Sequence, residues 1–214
     1  MREDVIASRY KRALNILSSV SPTPKSTQPL KLYLQKMRFS SVFVLASLVA
    51  SSFASTVADI QADIADISTK LTTLDNSIAA FPSTGGTLSQ ALAIHSNAVT
   101  LGKSIDQGTT DVNDVDPKPF SDEDGRAILD SFTALEPTIN NALIGIVDKK
   151  AALEALPVGG IPALVKQDLS NLSASTAALE DALIAAAPES IVDEAIALKE
   201  RIDAAFATAI AAYA

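Results

Sequence analysis

Few side chains of this sequence could support acid–base or nucleophilic chemistry. Cysteine is absent and His95 is the one histidine, so a thiolate nucleophile and a cysteine-ligated metal are excluded. No motif fixes a serine or a carboxylate as a catalytic partner for His95, and the sequence contains neither a Gly-x-Ser-x-Gly turn nor a glycine-rich phosphate loop. We therefore expect a structural or surface role for His95, and a protein that is not an enzyme.

Metal-binding patterns are also missing from the sequence. Leu92 stands three residues before His95, where a di-iron bundle would need the glutamate of a Glu-x-x-His pair. The acidic stretch 111–120, which we predict to be a loop, superficially resembles a calcium site. It lacks the glycine of an EF-hand turn, however, and contains two prolines. We expect no metal and no cofactor.

The stretch 57–81 is the element around which the chain is organised. Its large apolar residues are three and four positions apart in strict alternation, which places them along one face of a long α-helix. Asp59, Asp63 and Asp66 lie beside this stripe and are predicted to be solvated. A helix with one apolar stripe needs partner helices to bury it. The stripe consists of Val57, Ile60, Ile64, Ile67, Leu71, Leu74, Ile78 and Phe81.

Four more amphipathic helices are predicted after this one. The second covers about 87–108. The third begins at a serine cap and covers 121–156, with Pro137 inside it expected to kink it or split it in two. The fourth covers 161–187, and the fifth 188–214 begins at a proline. No strand pattern occurs, so we predict an all-α bundle of about five amphipathic helices, mostly antiparallel.

Charge divides the chain into two parts. Residues 1–54 contain 8 Lys/Arg and 2 Asp/Glu, whereas residues 55–214 contain 9 Lys/Arg and 23 Asp/Glu, a net charge of −14 in a chain of net charge −8. So acidic a body repels phosphate backbones, which argues against nucleic-acid binding. The acid excess also keeps an apolar-rich helical protein soluble.

The basic N-terminal part contains a predicted signal peptide at 37–54. Met37 and Arg38 precede a short apolar run at 42–50, and small residues lead to a cleavage site that we place after Ala54. The run is too short to span a bilayer, so we expect a secreted protein whose single domain is 55–214. Residues 1–36 are interpreted as a non-native or unusual extension, with a mitochondrial transit peptide as the alternative.

One N-glycosylation sequon is present. It is Asn171-Leu172-Ser173, within the fourth predicted helix. Asn171 is therefore a candidate glycosylation site.

Apolar surface is the remaining feature that could carry a function. A bundle in which alanines face larger residues can leave a slot between helices, or it can open onto an oily surface. The plainer alternative is that all these residues are ordinary core. The candidate ligand-binding residues, taken from the apolar stripes, are Ile64, Leu71, Leu92, Phe132, Leu135, Leu179 and Phe206.

Four segments of the sequence resemble a known family. The Ala-rich segments 178–188 and 197–213, the first helix with Ile60 and Ile64, and the stretch 91–94 are similar to the hydrophobic surface-binding protein A family of fungi. That family is related to the lipid-binding domains of cell-wall galactomannoproteins. The resemblance covers roughly 55–214.

This resemblance implies a secreted, non-catalytic fungal protein that binds hydrophobic surfaces or fatty-acid-like lipids between amphipathic helices. The alternative it implies is an extracellular or cell-wall interaction protein that recruits a secreted esterase or a wall polymer. Unlike the mannoproteins, the chain has no Ser/Thr-rich stalk and no hydrophobic tail for a lipid anchor. We therefore expect free secretion rather than covalent attachment to the wall.

Overall fold

The computed structural model describes residues 55–214, and within them every regular element is a helix. The predicted all-α bundle is thereby confirmed. The predicted signal peptide and the extension before it lie outside the described residues. The helices are α1 (Val57–Ala80), α2 (Leu88–Asp114), α3 (Asp122–Thr133), α4 (Glu136–Asp148), α5 (Lys150–Glu154), α6 (Ile161–Ala186) and α7 (Val192–Ala212), with a 3-10 turn (Glu189–Ile191) before α7.

Local sequence sets the start of the first three helices. Thr56 accepts a hydrogen bond from the backbone N–H of Asp59, whose carboxylate accepts one in return from the Thr56 N–H, 2.9 Å away. Thr87 and Gln90 repeat this reciprocal arrangement at the start of α2. Ser121 caps α3, as its sequence predicts. Each cap satisfies N–H groups that the first helical turn leaves without a partner.

The second predicted helix was predicted to end too early, and the third, predicted to kink or split in two at Pro137, is split into three. Helix α2 continues past Gly108 to Asp114, because the apolar spacing continues through the fully buried Val112; the predicted acidic loop is therefore helical in its first part. The third predicted helix is divided into α3, α4 and α5. Pro137 lies in the first turn of α4, where a proline lacks no needed hydrogen bond, so the break precedes it.

Five helices form a closed ring around the core. Helix α2 packs against α1 and α6, α6 against α7, α7 against α4, and α4 against α1. Ser55, just before α1, donates a hydrogen bond to Asp111 near the end of α2 over 2.8 Å, so these two helices are antiparallel. The neighbouring helices α2 and α6 run parallel. His95 near the start of α2 contacts Asp168 near the start of α6, and Gly108 farther along α2 lies beside Leu179 farther along α6.

The C-terminus is attached to α4 and α5. The Tyr213 hydroxyl donates a hydrogen bond to the Ile146 carbonyl over 2.7 Å, and Lys150 donates one to the Ala212 carbonyl over 2.7 Å. The Lys150 ammonium also lies 5.6 Å from the centre of the Tyr213 ring, a cation–π distance. These contacts hold the end of α7 against the ring.

Candidate functional site

An apolar cavity of about 70 Å³ lies at the axis of the helical ring. Helices α1, α2, α4 and α6 supply most of its wall, Phe132 comes from α3 and Phe206 from α7. Among the described residues that line it, only Asp168 and Thr176 are polar, and the others are aliphatic or aromatic. Such a space favours apolar guests, because a polar group placed there would find almost no hydrogen-bond partner.

The structure brings together five of the seven residues predicted from the stripes. Ile64 is buried in α1, within the core but outside this cavity. Leu92 is 46% exposed on the outer face of α2. The wide apolar face predicted for α2 is therefore buried along one stripe only, that of Ala91 and Ile94. The five residues that line the cavity are Leu71, Phe132, Leu135, Leu179 and Phe206.

Most lining residues missed by the prediction belong to the same stripes and could have been found there. Ile67, one turn from Leu71, and Leu101, two turns from Ile94, follow directly from the helical spacing. Asp168 carries no such signal, because its neighbour Leu169 occupies the stripe. Only the pairing of α6 with α2 brings Asp168 to the wall.

His95 has a carboxylate partner that the sequence did not indicate. Its ring Nδ1 lies 2.9 Å and 3.0 Å from the two carboxylate oxygens of Asp168, so the Nδ1–H donates a hydrogen bond to this carboxylate and the contact joins α2 to α6. The Asp168 side chain is only 11% exposed. Burial raises the pKa of this carboxyl, and the hydrogen bond from His95 opposes that rise. The carboxylate of Asp168, held by His95, is therefore a polar group in the wall of a largely apolar cavity.

A second, smaller cavity of about 30 Å³ adjoins the first, and Phe132 belongs to the walls of both. It lies between α3, α6 and α7 and contains two ionisable side chains, Glu180 and Lys199. Glu180 is 4% exposed, and the Lys199 Nζ lies 3.5 Å from its Oε2. Burial raises the pKa of Glu180 to about 7, against the opposing effect of Lys199.

The acidic flank of α1 is not uniformly solvated. Asp59 and Asp66 are exposed as predicted, but Asp63 is half-buried against α2. Burial, reinforced by the nearby Asp111 carboxylate, raises the pKa of Asp63 to about 6. Among residues 55–214, no group of His, Asp and Glu side chains has an arrangement that could hold a metal ion.

The outer surface has a few exposed apolar side chains. Leu92 and Val99 lie two helical turns apart on α2, and the others are on α4, α7 and a loop. Asn171 is exposed on α6. In the part of the chain that the structure describes, no helix combines the length and the hydropathy needed to cross a bilayer.

A closed ring of amphipathic helices around an apolar cavity defines an all-α helical-bundle protein with an apolar interior space. The sequence profile of hydrophobic surface binding protein A matches residues 57–185, more than half of the chain. The chain belongs to this family.

Comparison with solved structures agrees with the family assignment. The crystal structure of AfMP4p in complex with palmitic acid is 32% identical, covers 74% of this chain and 99% of its own, and superposes with a TM-score of 0.68. Ligand-binding domains 1 and 2 of the Penicillium marneffei MP1 protein, each complexed with arachidonic acids, are 17% and 20% identical. Both cover 74% of this chain (99% and 96% of their own) with a TM-score of 0.65. Because their sequence identity is low, these two domains show only that this chain shares their fold. A comparison with proteins of curated function found no match.

Proposed function

We propose that this protein is a non-catalytic binder of fatty-acid-like lipids, with the acyl chain held between its helices in the apolar cavity. The observation that best supports this proposal is the composition of the cavity wall. Side chains from six helices converge on one space, and among the described residues that line it only Asp168 and Thr176 are polar. Removal of apolar area from water would supply the affinity, at roughly 25 cal/mol per Å² before entropic costs. The palmitic-acid complex of the 32% identical relative supports this proposal.

The proposed contacts are the five predicted residues that line the cavity, Leu71, Phe132, Leu135, Leu179 and Phe206, together with their lining neighbours. Ile64 and Leu92 were also predicted as ligand contacts. Ile64 would act only by supporting the wall, and Leu92 would act only at the outer surface.

Ligand uptake would require the bundle to widen. An apolar cavity of roughly 150 Å³ accommodates one benzene molecule, and the cavity here is only about 70 Å³. A long acyl chain is larger than benzene, so it could enter only if helices separate or side chains change rotamer. The structure therefore corresponds to a closed form.

Two substitutions that each replace an alanine of α2 with leucine test the site. Ala98 and Ala91 are both buried on α2, but only Ala98 lines the cavity. Ala98→Leu should fill the cavity and weaken binding of cis-parinaric acid to delipidated protein by about tenfold or more, whereas Ala91→Leu should leave the affinity near the wild-type value. Fluorescence titration measures both. Absence of saturable binding to the wild-type protein would overturn the proposal.

Adsorption to hydrophobic surfaces is a second candidate, favoured by the exposed pair Leu92 and Val99 on α2. Two apolar side chains on one exposed helical face provide an initial contact with an oily surface. The double substitution Leu92→Ser, Val99→Ser should reduce adsorption to a hydrophobic sensor surface without changing cis-parinaric acid binding. Unchanged adsorption would exclude this face.

We also propose that the protein acts outside the cell, since the family resemblance and the predicted signal peptide at 37–54 both support secretion. Mass spectrometry of protein from culture medium should find an N-terminus near Ser55.

Recruitment of a secreted esterase or a wall polymer would depend on the acidic surface of residues 55–214, which have a net charge of −14. Co-precipitation from culture medium should then weaken as salt rises.

A further inference from the structure

Glu180 is a buried carboxylate whose hydrogen-bonding capacity is unused. It is 4% exposed on α6 and lines the second cavity. Among the described residues, none donates a hydrogen bond to either of its oxygens. Lys199 is within ion-pair distance, with its Nζ 3.5 Å from Oε2, but that distance exceeds the range of a good hydrogen bond. A buried acceptor of this kind favours a ligand that brings a donor.

The charges around Glu180 indicate which ligand chemistry fits. Lys199 also contacts Asp181 at 3.5 Å and Asp203 at 3.1 Å, so three carboxylates share one ammonium. A carboxylate anion placed here would meet an excess of negative charge. A neutral O–H group would instead donate to Glu180 without adding charge.

The position of the second cavity connects it to the proposed lipid site. Phe132 lines both cavities, so its side chain is a wall they share, and a ligand that occupied both would have to displace it. The remaining wall of the second cavity is apolar, with Ile128, Leu129 and Leu198 among its members. A single-chain lipid could therefore lie with its tail in the main cavity and its polar end beside Glu180.

We propose that the second cavity is a head-group site in which Glu180 accepts a hydrogen bond from the O–H group of a long-chain lipid. This inference rests on the proposed lipid binding in the main cavity. The O–H group can belong to a fatty alcohol or to a protonated fatty acid, and the two sources share the same donor chemistry. The site would discriminate against esters and against ionised fatty acids.

The experiment compares 1-dodecanol with methyl dodecanoate, which has no O–H donor, by displacement of cis-parinaric acid at pH 8.5. At this pH Glu180 is mostly ionised, because its pKa is about 7, and it can only accept. Wild-type protein should bind the alcohol about tenfold more tightly than the ester. Glu180→Leu should abolish this preference, while Glu200→Gln, an exposed control on α7, should retain it.

A second variant covers the possibility that leucine disturbs the fold. Glu180→Gln keeps the shape but adds an N–H₂ donor for the ester carbonyl, so the preference should fall toward unity through tighter ester binding. Dodecanoic acid distinguishes the two sources. Glu180 itself takes up a proton between pH 8.5 and pH 5, since its pKa is about 7, so the measured quantity is the affinity of the acid relative to that of the alcohol at each pH. If the protonated acid is a ligand, this ratio should rise as pH falls from 8.5 to 5.

The outcomes separate this inference from the proposed function. Equal alcohol-to-ester ratios in wild type, Glu180→Leu and Glu180→Gln would overturn the head-group site while leaving lipid binding intact. Failure of both ligands to displace the fluorescent fatty acid, or no binding of that acid at either pH 8.5 or pH 5, would overturn the proposed function. Ala98→Leu should weaken both ligands equally and leave their ratio unchanged, because it lies away from Glu180.

Discussion

Burial raises the pKa of three carboxyl groups in the described part of this acidic protein. Asp63, Asp168 and Glu180 each have a raised pKa, and burial is the largest cause in every case. Two of them are cavity-lining residues, Asp168 in the first cavity and Glu180 in the second. Each group lowers the free energy of unfolding at neutral pH, since the charged form loses its hydration on folding.

Glu180→Leu should therefore stabilise the protein at high pH. A carboxyl whose pKa rises from 4.5 in the unfolded chain to about 7 in the folded protein contributes stability below pH 4.5, and this contribution is lost as pH rises through 7. The variant should exceed the wild type by up to about 3 kcal/mol at pH 8 and by little at pH 4.5. Urea unfolding at the two pH values measures this, and an equal gain at both would show that packing, not charge, is responsible.

His95→Ala should reduce stability by roughly 1–3 kcal/mol, because it leaves the Asp168 carboxylate buried without its hydrogen-bond donor. In an Asp168→Asn background the same substitution should cost much less. Urea unfolding of the four proteins gives the coupling energy between the two residues. A coupling energy near zero would mean that the pair links α2 and α6 only sterically.

At the scale of elements, one close approach fixes α3 against the segment between α6 and α7. A Cβ atom on Gly125 would lie 2.5 Å from the Cδ of Pro188, whereas one on Gly102 in α2 would meet only Leu172 at 3.8 Å. Both glycines are inside helices, where alanine is intrinsically favoured by about 1 kcal/mol. The same substitution should therefore have opposite effects at the two positions.

Thermal unfolding followed by circular dichroism tests this contrast. Gly102→Ala should raise the Tm slightly, and Gly125→Ala should lower it by several degrees because the helix must move away from the Pro188 ring. If Gly125→Ala matched Gly102→Ala, α3 would have to be free to move at this contact. The second cavity, which includes Gly125, would then have a variable width.

Periodicity predicted the elements and most of the main cavity, because a residue's place in a helical stripe determines whether it faces the core. It did not predict what depends on distant pairing. Leu92 resembled a core residue but is exposed, because the neighbouring helices α1 and α6 cover only the stripe of Ala91 and Ile94. Asp168 and Glu180 resembled surface residues but are buried, since α6 lies between α2 and α7. Gly108 resembled a helix end, but it is buried inside α2, where side chains of α1 and α6 pack against it.

For the whole molecule, the closed ring and the small cavity together constrain how a ligand could enter. Each helix of the ring packs against two others, so separating the helices to widen the cavity would break helix contacts that are present in the closed form. The energy for opening would come from apolar area that the ligand buries. Binding should thus be limited by a conformational step rather than by diffusion.

This model predicts that the observed rate of decanoate uptake levels off as decanoate concentration rises, since opening then becomes rate-limiting. Ile67→Ala should accelerate uptake several-fold, because Ile67 lines the cavity and its truncation supplies part of the required space. Ile60→Ala provides the control: Ile60 is equally buried on α1 but does not line the cavity. Each variant should lose roughly 2–5 kcal/mol of stability. Stopped-flow displacement of cis-parinaric acid measures the rates.

Equal acceleration by both variants would show that uptake follows overall stability rather than cavity volume. A rate that rises linearly with decanoate concentration, without a plateau, would show that the bundle admits the acyl chain without opening.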